Sequence, residues 1–168
     1  NKLIGWFQGR MEIGARSLGG RSILANPLSP KARDLVNLNV KSREKWRPFC
    51  PSVKEESFEK YFDGNLKSTN PYYMIIAYDV KENMISKIPS CVHIDNTARP
   101  QAVSRKSNLK FWQLLDILEK IQHHPIVLNT SFNVKGEPIV ESPEQALRCF
   151  FSTGLDELYL GSYVISKK

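Results

Sequence analysis

Strand-like and helix-like segments alternate along this chain of 168 residues, and no other feature restricts its possible folds so strongly. Short runs rich in β-branched, aromatic and other apolar residues predict strands at residues 3–7, 72–78, 125–128 and 158–165. Because helices are predicted between these strands, we expect an α/β or α+β domain built on a mixed sheet. The sequence contains no internal repeat and no low-complexity linker, so one domain is expected over residues 1–168.

The clearest helix prediction covers residues 107–122, where apolar side chains recur at helical spacing. The expected buried stripe consists of Phe111, Leu114, Leu115, Leu118 and Ile121. A second helix is predicted from Ser142, a typical N-cap followed by Pro143, to about residue 153. Shorter helices are predicted at residues 30–38 and 55–62. These helices would flank the sheet.

Composition excludes several classes of protein. No run approaches the ~18 apolar residues that a membrane-spanning helix needs. Three scattered cysteines argue against a disulfide framework and predict a reducing, cytoplasmic location. The histidines share no ligand spacing with cysteines or carboxylates, so no protein-bound metal is expected. The chain starts without Met and enters a strand at once, so we expect a fragment of a longer protein.

Positive charge is concentrated at the beginning of the chain. The first 47 residues contain ten Lys and Arg against three Asp and Glu, which equals the whole formal net charge of +7. The remaining residues are neutral overall. Such asymmetry favours an anionic ligand, and phosphate is the expected group.

Three arginines recur within a glycine-rich loop over residues 9–22, namely Arg10, Arg16 and Arg21. Glycines let backbone N–H groups approach an anion, and guanidinium groups bind phosphate or carboxylate oxygens in pairs. The spacing fits neither a Walker A loop nor a dinucleotide fingerprint. A surface loop with solvated arginines explains the pattern equally well.

A second basic run carries Lys41, Arg43, Lys45 and Arg47 at alternate positions. On an extended strand these four cations would face one way and need an anion between them. Trp46 and Phe49 would then pack on the opposite side, in the core. An exposed basic strand that contacts nucleic acid or a partner is the alternative.

Two polar turns complete the candidate residues. Asn129, Thr130, Ser131 and Asn133 follow a short apolar strand, as ligand-contacting residues often do. An Asx or Ser/Thr turn that satisfies its own backbone would give the same pattern. Arg99 lies in the other polar stretch, at residues 93–101.

Taken in order, these motifs resemble the C-terminal domain of the carbamoyltransferases that modify antibiotics and nodulation factors. The matching segments are GRMEIGARSLGGRSILA at residues 9–25, KSREKWRPFCPS at 41–52, TARPQ at 97–101, NTSFNVKGEPIVESP at 129–143 and TGLDELYLGSY at 153–163. Within the first segment, Ala15, Ser17 and Gly20 replace the proline, alanine and asparagine usual in that family. The matches cover nearly the whole chain.

The resemblance implies a fold and an activity. It implies a YrdC-like domain, a twisted open mixed sheet with flanking helices and a positively charged concave face. Such a domain binds ATP and carbamoyl phosphate and forms carbamoyl-adenylate. A separate N-terminal Kae1-like transferase domain of the same protein, absent from this chain, would pass the carbamoyl group to a hydroxyl acceptor. We therefore expect half of an enzyme, with Mg²⁺ carried by ATP.

The resemblance also assigns roles to residues. Lys41 and Arg43 are the expected catalytic groups, which would hold the carbamoyl or carbamate oxygens and the α-phosphate. The expected binding residues are Arg10, Arg16, Arg21, Arg47, Arg99, Asn129, Thr130, Ser131 and Asn133. Among these, Arg16, Arg21 and Arg47 would bind phosphates, Arg99 would close the pocket, and Ser131 and Asn133 would contact the nucleotide or its Mg²⁺.

Two other functions remain open from the sequence. A YrdC-type module could bind double-stranded RNA or tRNA through its basic face. Against this, few aromatic side chains lie in the basic part, and Trp46 and Phe49 are predicted to be core residues. The domain could also act only as a structural partner of the transferase domain.

Overall fold

The computed structural model describes residues 2–66 and 69–167. Its strands are β1 (Ile4–Phe7), β2 (Arg21–Ala25), β3 (Cys50–Lys54), β4 (Phe62–Asp63), β5 (Tyr78–Val80), β6 (Thr97–Ala98), β7 (Gln101–Val103), β8 (Ile126–Ser131), β9 (Glu157–Leu160) and β10 (Tyr163–Ser166). Its α-helices are α1 (Ala32–Val36), α2 (Phe58–Tyr61), α3 (Glu82–Ile85), α4 (Leu109–Gln122) and α5 (Pro143–Phe151). A π-helical turn, Asn37–Lys41, directly continues α1.

The main sheet is mixed, which confirms the predicted class. Its strand order within the described residues is β10-β9-β1-β2-β8-β3-β7. The pairs β1–β9 and β3–β7 are parallel, and the other neighbours are antiparallel. A smaller antiparallel sheet has the order β4-β5-β6. Strand β8 is an inner strand of the main sheet, between β2 and β3. Because it is antiparallel to both, its last residues lie beside the loops that lead into β2 and β3.

Alternating side chains place helices on both faces of the main sheet. Trp6, Leu24 and Val127 pack with Phe111 and Leu115 of α4 on one face. Their neighbours in sequence point to the opposite face, where α1 and α5 cover them. The result is three layers, helix, sheet and helix, with an apolar core on each side of the sheet.

Helix α5 begins as the sequence predicts, whereas α4 begins at Leu109, two residues after its predicted start. The side chain of Asn108 caps α4 by accepting a hydrogen bond from the N–H of Phe111 at 3.1 Å. Ser142 caps α5 in the same way. The apolar face predicted for α4 is buried or partly buried except at Ile121, which is 72% exposed near the end of the helix.

Two strand predictions are wrong. Residues 72–77 form turns, and the strand β5 begins only at Tyr78. Residues 158–165 form two strands rather than one, because a turn containing Gly161 reverses the chain between β9 and β10. In contrast, the strand predicted at residues 3–7 is confirmed as β1, and that at 125–128 is the first part of β8.

Candidate functional site

Four arginines converge on one cavity of about 280 Å³ near the end of β8. They are Arg16, Arg43, Arg47 and Arg99, and the cavity is called the arginine cavity below. Its other lining residues are Ala15, Ser17, Pro48, Phe49, Cys50, Met74, Asn129, Thr130 and Ser131. The lining contains no carboxylate, so the cavity is strongly electropositive and suited to a polyanion.

A buried asparagine holds two of these arginines in place. The Asn37 Nδ2 donates to the carbonyl oxygens of Lys45 and Arg47, at 3.3 and 3.1 Å. Its Oδ1 accepts a hydrogen bond from Arg43 Nε at 2.7 Å. The Arg43 guanidinium also lies over the Phe49 ring, 4.5 Å from its centroid. Asn37 therefore shapes the segment that carries Arg43 and Arg47.

The predicted extended strand with four cations on one face is wrong. Lys41 ends the π-helical turn, and Ser42 has a left-handed backbone with φ of 46°. Lys45 is exposed and does not line the arginine cavity. Trp46, predicted in the core, is 71% exposed, whereas Phe49 is buried as expected. Arg43 and Arg47 reach the same cavity from a turn, not from alternate positions of a strand.

A second pocket of about 210 Å³ adjoins the arginine cavity and is called the lysine pocket. Its lining consists of Lys41, Arg43, Glu44, Arg47, Ser131, Asn133, Val134, Lys135 and Gly136. The two spaces share Arg43, Arg47 and Ser131. A ligand longer than either space could therefore extend across both.

Lys41 is bound to the turn that follows β8. Its Nζ donates to the carbonyl oxygens of Ser131 and Asn133, at 2.5 and 2.9 Å. The Ser131 Oγ and the Asn133 Oδ1 lie at 3.2 and 2.7 Å from the same Nζ. The structure thus brings Lys41, from one predicted motif, together with Ser131 and Asn133, from another.

The environment of Lys41 disfavours its charged form. Burial, together with the neighbouring Arg43, lowers the pKa of Lys41 to about 7. The four oxygens around its Nζ belong to neutral groups, so no opposite charge offsets the burial. A phosphate in the lysine pocket would supply that charge and favour the ammonium.

The glycine-rich loop is folded by its own glutamate. The Oε1 atom of Glu12 accepts hydrogen bonds from the N–H groups of Leu18 and Gly20, both at 2.6 Å. The loop also packs closely on α4, since a Cβ at Gly19 would lie 2.3 Å from an atom of the Phe111 ring. These contacts place Arg16 at the tip of the loop, over the arginine cavity.

A buried polar network lies between this loop and the sheet. The Asn129 Nδ2 donates to the Ser17 carbonyl at 3.1 Å and to Ser52 Oγ at 2.9 Å. The Ser52 hydroxyl donates to Gln101 Oε1 at 2.7 Å, and Gln101 Nε2 donates to the Leu18 carbonyl at 2.9 Å. Three adjacent strands thereby hold the part of the loop that follows Arg16.

Arg21, predicted to bind phosphate, is placed elsewhere. It is 4% exposed and lines neither the arginine cavity nor the lysine pocket. Its guanidinium donates to the carbonyl oxygens of Gln8, Gly9 and Gly20 at 3.0 to 3.2 Å and lies over the Phe7 ring. Burial lowers its pKa. The structure thus commits Arg21 to the backbone at the base of the loop.

Arg10 is also separated from the other predicted residues. It lines a different, larger cavity of about 710 Å³, together with Gly9, Glu12, Tyr73 and Lys110 among others. Arg10 therefore does not share a space with Lys41 or Arg43. In contrast, Arg16, Arg43, Arg47, Arg99, Asn129, Thr130 and Ser131 all line the arginine cavity.

Several residues of the site carried no clear signal in the sequence. Ser17 and Asn37 are both buried; Ser17 is important through a contact with Asn129, far along the chain, and Asn37 through contacts with a turn six to ten residues away. Lys135 and Gly136 lie in the lysine pocket, and their position shortly after Asn133 could have indicated them.

Residues 2–66 and 69–167 contain no group of three or more His, Cys, Asp or Glu side chains able to hold a metal. Over the same residues, none of the helices has the length and apolarity to cross a membrane.

Comparison with solved structures shows a likeness of fold. A crystal structure of full-length HypF in its phosphate- and nucleotide-bound form matches with a TM-score of 0.66 and 18% identity. The match covers 95% of this chain and 19% of HypF. At this identity the likeness concerns the fold alone, and it agrees with the expected YrdC-like architecture.

Curated relatives match over nearly the whole chain. An uncharacterised protein of Methanocaldococcus jannaschii is 44% identical over 99% of this chain and 27% of its own length. Nodulation protein NolO of Bradyrhizobium diazoefficiens is 41% identical over 99% of this chain and 30% of its own. Nodulation protein NolNO of Sinorhizobium fredii is 43% identical over 99% of this chain and 24% of its own. The chain thus spans only about a quarter to a third of these relatives.

The family model described as carbamoyltransferase C-terminus matches residues 1–167. Together with the nodulation proteins, this match confirms the family that the motifs indicated. The chain belongs to the carbamoyltransferase C-terminus family.

Proposed function

We propose that this chain binds carbamoyl phosphate and Mg²⁺-bound ATP across the arginine cavity and the lysine pocket, and forms carbamoyl-adenylate. The observation that supports this most directly is the convergence of Arg16, Arg43, Arg47 and Arg99 on one cavity, with Lys41 beside it. Carbamoyl phosphate and ATP together carry about six negative charges, which guanidinium and ammonium groups can neutralise.

The proposed reaction has two steps, a hydrolysis followed by an adenylation. Water cleaves carbamoyl phosphate to carbamate and inorganic phosphate. A carbamate oxygen then attacks the α-phosphorus of ATP, the bond to the β-phosphate breaks, and pyrophosphate leaves. Arg43 would hold the α-phosphate, because its guanidinium is hydrogen-bonded to Asn37 Oδ1 and it lines both spaces beside Lys41. Lys41 would contact the pyrophosphate oxygens or the carbamate as an ammonium.

The residues fit the nucleotide better than they fit a resident metal. The combined lining of the two spaces is mainly cationic and polar; its one carboxylate, Glu44 in the lysine pocket, is paired with Arg47 at 3.1 Å. Mg²⁺ would therefore arrive bound to the ATP phosphates, as part of the substrate, with the Ser131 and Asn133 side chains nearby.

We also propose a cytoplasmic location, because the thiols of Cys50, Cys91 and Cys149 are all free.

The activity of a whole carbamoyltransferase requires more than this chain. We propose that carbamoyl-adenylate passes to an N-terminal Kae1-like transferase domain of the same protein, where a hydroxyl acceptor receives the carbamoyl group. The share of the relatives that lies outside the match, about two thirds or more, supports this division.

Exchange of labelled pyrophosphate into ATP tests the adenylation step. Wild-type protein should catalyse exchange only when carbamoyl phosphate is present. Lys41→Ala and Arg43→Ala should each lose about 100-fold in rate, the usual cost of removing one oxyanion-stabilising group. Lys45→Ala is the matched control, since Lys45 is exposed and lines neither space, and it should retain the wild-type rate. Normal exchange in both alanine variants would disprove the assignment.

A nucleic-acid interface is the second candidate, and one observation favours it. Trp46 is exposed between Lys45 and Arg47, so an aromatic ring suited to base stacking does stand among cations. A binder of this kind would lose affinity for double-stranded RNA steeply as salt increases and would ignore ATP. Thermal stabilisation by Mg²⁺-bound ATP would favour the adenylation enzyme instead.

A further inference from the structure

Two of the residues that line the arginine cavity carry a side-chain oxygen atom that is itself buried. Among the described residues, neither Asn129 Oδ1 nor Ser17 Oγ has a hydrogen-bond partner. Both residues line the cavity, and their exposed fractions are 1% and 3%. A buried polar atom is costly unless something bonds to it, so these two atoms are candidates for ligand recognition.

The orientation of the Asn129 amide is fixed by its neighbours. The Ser17 carbonyl oxygen, 3.1 Å away, can only accept a hydrogen bond, so the amide nitrogen must face it. Gln101 is oriented by the same reasoning, because its Nε2 donates to the Leu18 carbonyl. Its Oε1 then lies 3.4 Å from Asn129 Nδ2 as a further acceptor. The atom left without a partner is therefore an acceptor, Asn129 Oδ1.

An acceptor in this position does not suit a phosphate. Phosphate oxygens are themselves acceptors and would be repelled by a carbonyl-type oxygen, whereas the four guanidinium groups attract them. The atom instead suits a ligand group that carries N–H donors and lies beside a phosphate. Carbamoyl phosphate has that chemistry, with an uncharged NH₂ at one end and the phosphate at the other.

We propose that Asn129 Oδ1 accepts a hydrogen bond from the NH₂ of the carbamoyl group and so selects carbamoyl phosphate over acyl phosphates with a methyl group in that place. This inference rests on the proposed function. Ser17, whose carbonyl oxygen accepts from Asn129, also lines the cavity, and its Oγ supplies a second acceptor. A site built to bond an N–H rejects the analogue without it, since the acceptor then stays buried and unpaired.

Two stable phosphonates test the proposal on the wild-type chain. Phosphonoacetamide and acetonylphosphonate are alike except that one carries NH₂ where the other carries CH₃. Calorimetric titration should show that the amide binds about 10- to 100-fold more tightly than the methyl ketone. Equal affinities would overturn the inference and leave the proposed function standing. Failure of carbamoyl phosphate, both phosphonates and inorganic phosphate to bind at all would instead overturn the proposed function.

Variants then assign the preference to one atom. Asn129→Leu removes the acceptor at similar size and should reduce the preference for the amide to about twofold or less. Cys50→Ala changes the same lining without removing a hydrogen-bonding oxygen and should keep the preference. Ser17→Ala should lower it only in part. A wild-type preference that persists in Asn129→Leu would overturn the assignment.

A structure of the complex gives a result that does not depend on the folding of a variant. In crystals soaked with phosphonoacetamide, the amide nitrogen should lie about 2.7–3.2 Å from Asn129 Oδ1. An amide nitrogen that faces solvent or another side chain would contradict the proposal.

Discussion

The glycine-rich loop contains two arginines in opposite environments, one at its base and one at its tip. At the base, Arg21 is buried and its guanidinium is bonded to three backbone carbonyls. At the tip, Arg16 is exposed and faces a cavity shared with Arg43, Arg47 and Arg99. At the base, the two terminal nitrogens of the Arg21 guanidinium are hydrogen-bonded within the protein, whereas the tip brings together like charges, which repel one another until an anion binds.

The difference between Arg16 and Arg21 shows that net charge can predict an anion site but cannot identify its residues. The sum of charges over the first 47 residues predicts an anion site, and the arginine cavity agrees with that prediction. The sum does not say which cations belong to the site, because an arginine can also replace water around carbonyl oxygens. Arg21 and Arg16 differ in their surroundings, not in their local sequence, where both follow small residues.

The largest expected effect is on stability at the base of the loop. Arg21→Met should lower the free energy of unfolding by about 3 kcal/mol, because the carbonyl oxygens of Gln8, Gly9 and Gly20 would each lose a guanidinium donor, and among the described residues only the Gly20 oxygen would keep a second donor, the Gln8 N–H. Arg16→Met should change it by less than about 0.5 kcal/mol, as for most exposed positions. Urea denaturation at constant m-value measures both. Similar losses in the two variants would mean that the contrast between base and tip is wrong.

The next effect concerns pH and the lysine beside the cavity. Because burial lowers the pKa of Lys41 to about 7, the unfolded chain, with an ordinary lysine at 10.5, binds more protons between these values. The free energy of unfolding should therefore rise with pH in this window, since the folded state bears the full penalty only below pH 7. Lys41 should contribute a gain of about 2 kcal/mol between about pH 7 and 8.5.

The variant Lys41→Met tests whether residue 41 causes this rise of the free energy of unfolding with pH. The variant has no ammonium to bury, so the contribution of residue 41 to the rise should disappear while the other groups titrate as before. The pH range of the measurement must end near 8.5 because of the buried thiols, whose pKa values are raised by folding. Above that pH, these thiols make the free energy of unfolding fall as pH rises, which opposes the effect of Lys41. Identical pH profiles for wild type and variant would show that Lys41 stays charged when folded.

Much of the fold could be predicted because it depends on local patterns. Ser142 caps α5 through a contact within three residues, and its pairing with Pro143 is visible in sequence. Helical periodicity located α4 in the same way. The turns at residues 72–77 could not be predicted, since an aromatic and β-branched run normally favours a strand. There, packing around Met74 and Pro71, which are buried by distant parts of the chain, outweighs local propensity.

The site was predictable where a motif carried it and not where a distant contact did. The family motifs pointed to Lys41, Ser131 and Asn133, and the structure brings these three together. The geometry around Lys41 was not predictable. Cations at every second position suggest an extended strand, but the chain forms a π-helical turn that ends at Lys41, followed by a turn held by Asn37. No local pattern distinguishes an asparagine that organises a loop from one that is merely buried.

The smallest effects separate Arg16 from Arg10, two exposed arginines of the same loop. Arg16 lines the arginine cavity, whereas Arg10 lines the larger cavity with Lys110. Titration with inorganic pyrophosphate at fixed salt should therefore show about a tenfold loss of affinity in Arg16→Ala, the cost of one charged phosphate contact. Arg10→Ala should bind within about twofold of wild type, because screening weakens a charge outside the cavity.

Equal losses in the two variants would mean that the loop attracts anions only through its summed charge, so that the position of each guanidinium is irrelevant. A larger loss in Arg10→Ala would move the anion site to the larger cavity. Raising the salt concentration distinguishes these outcomes, since a long-range field weakens with ionic strength much more than a direct contact does. The Arg16 effect should persist at about 0.5 M salt, where any residual Arg10 effect should vanish.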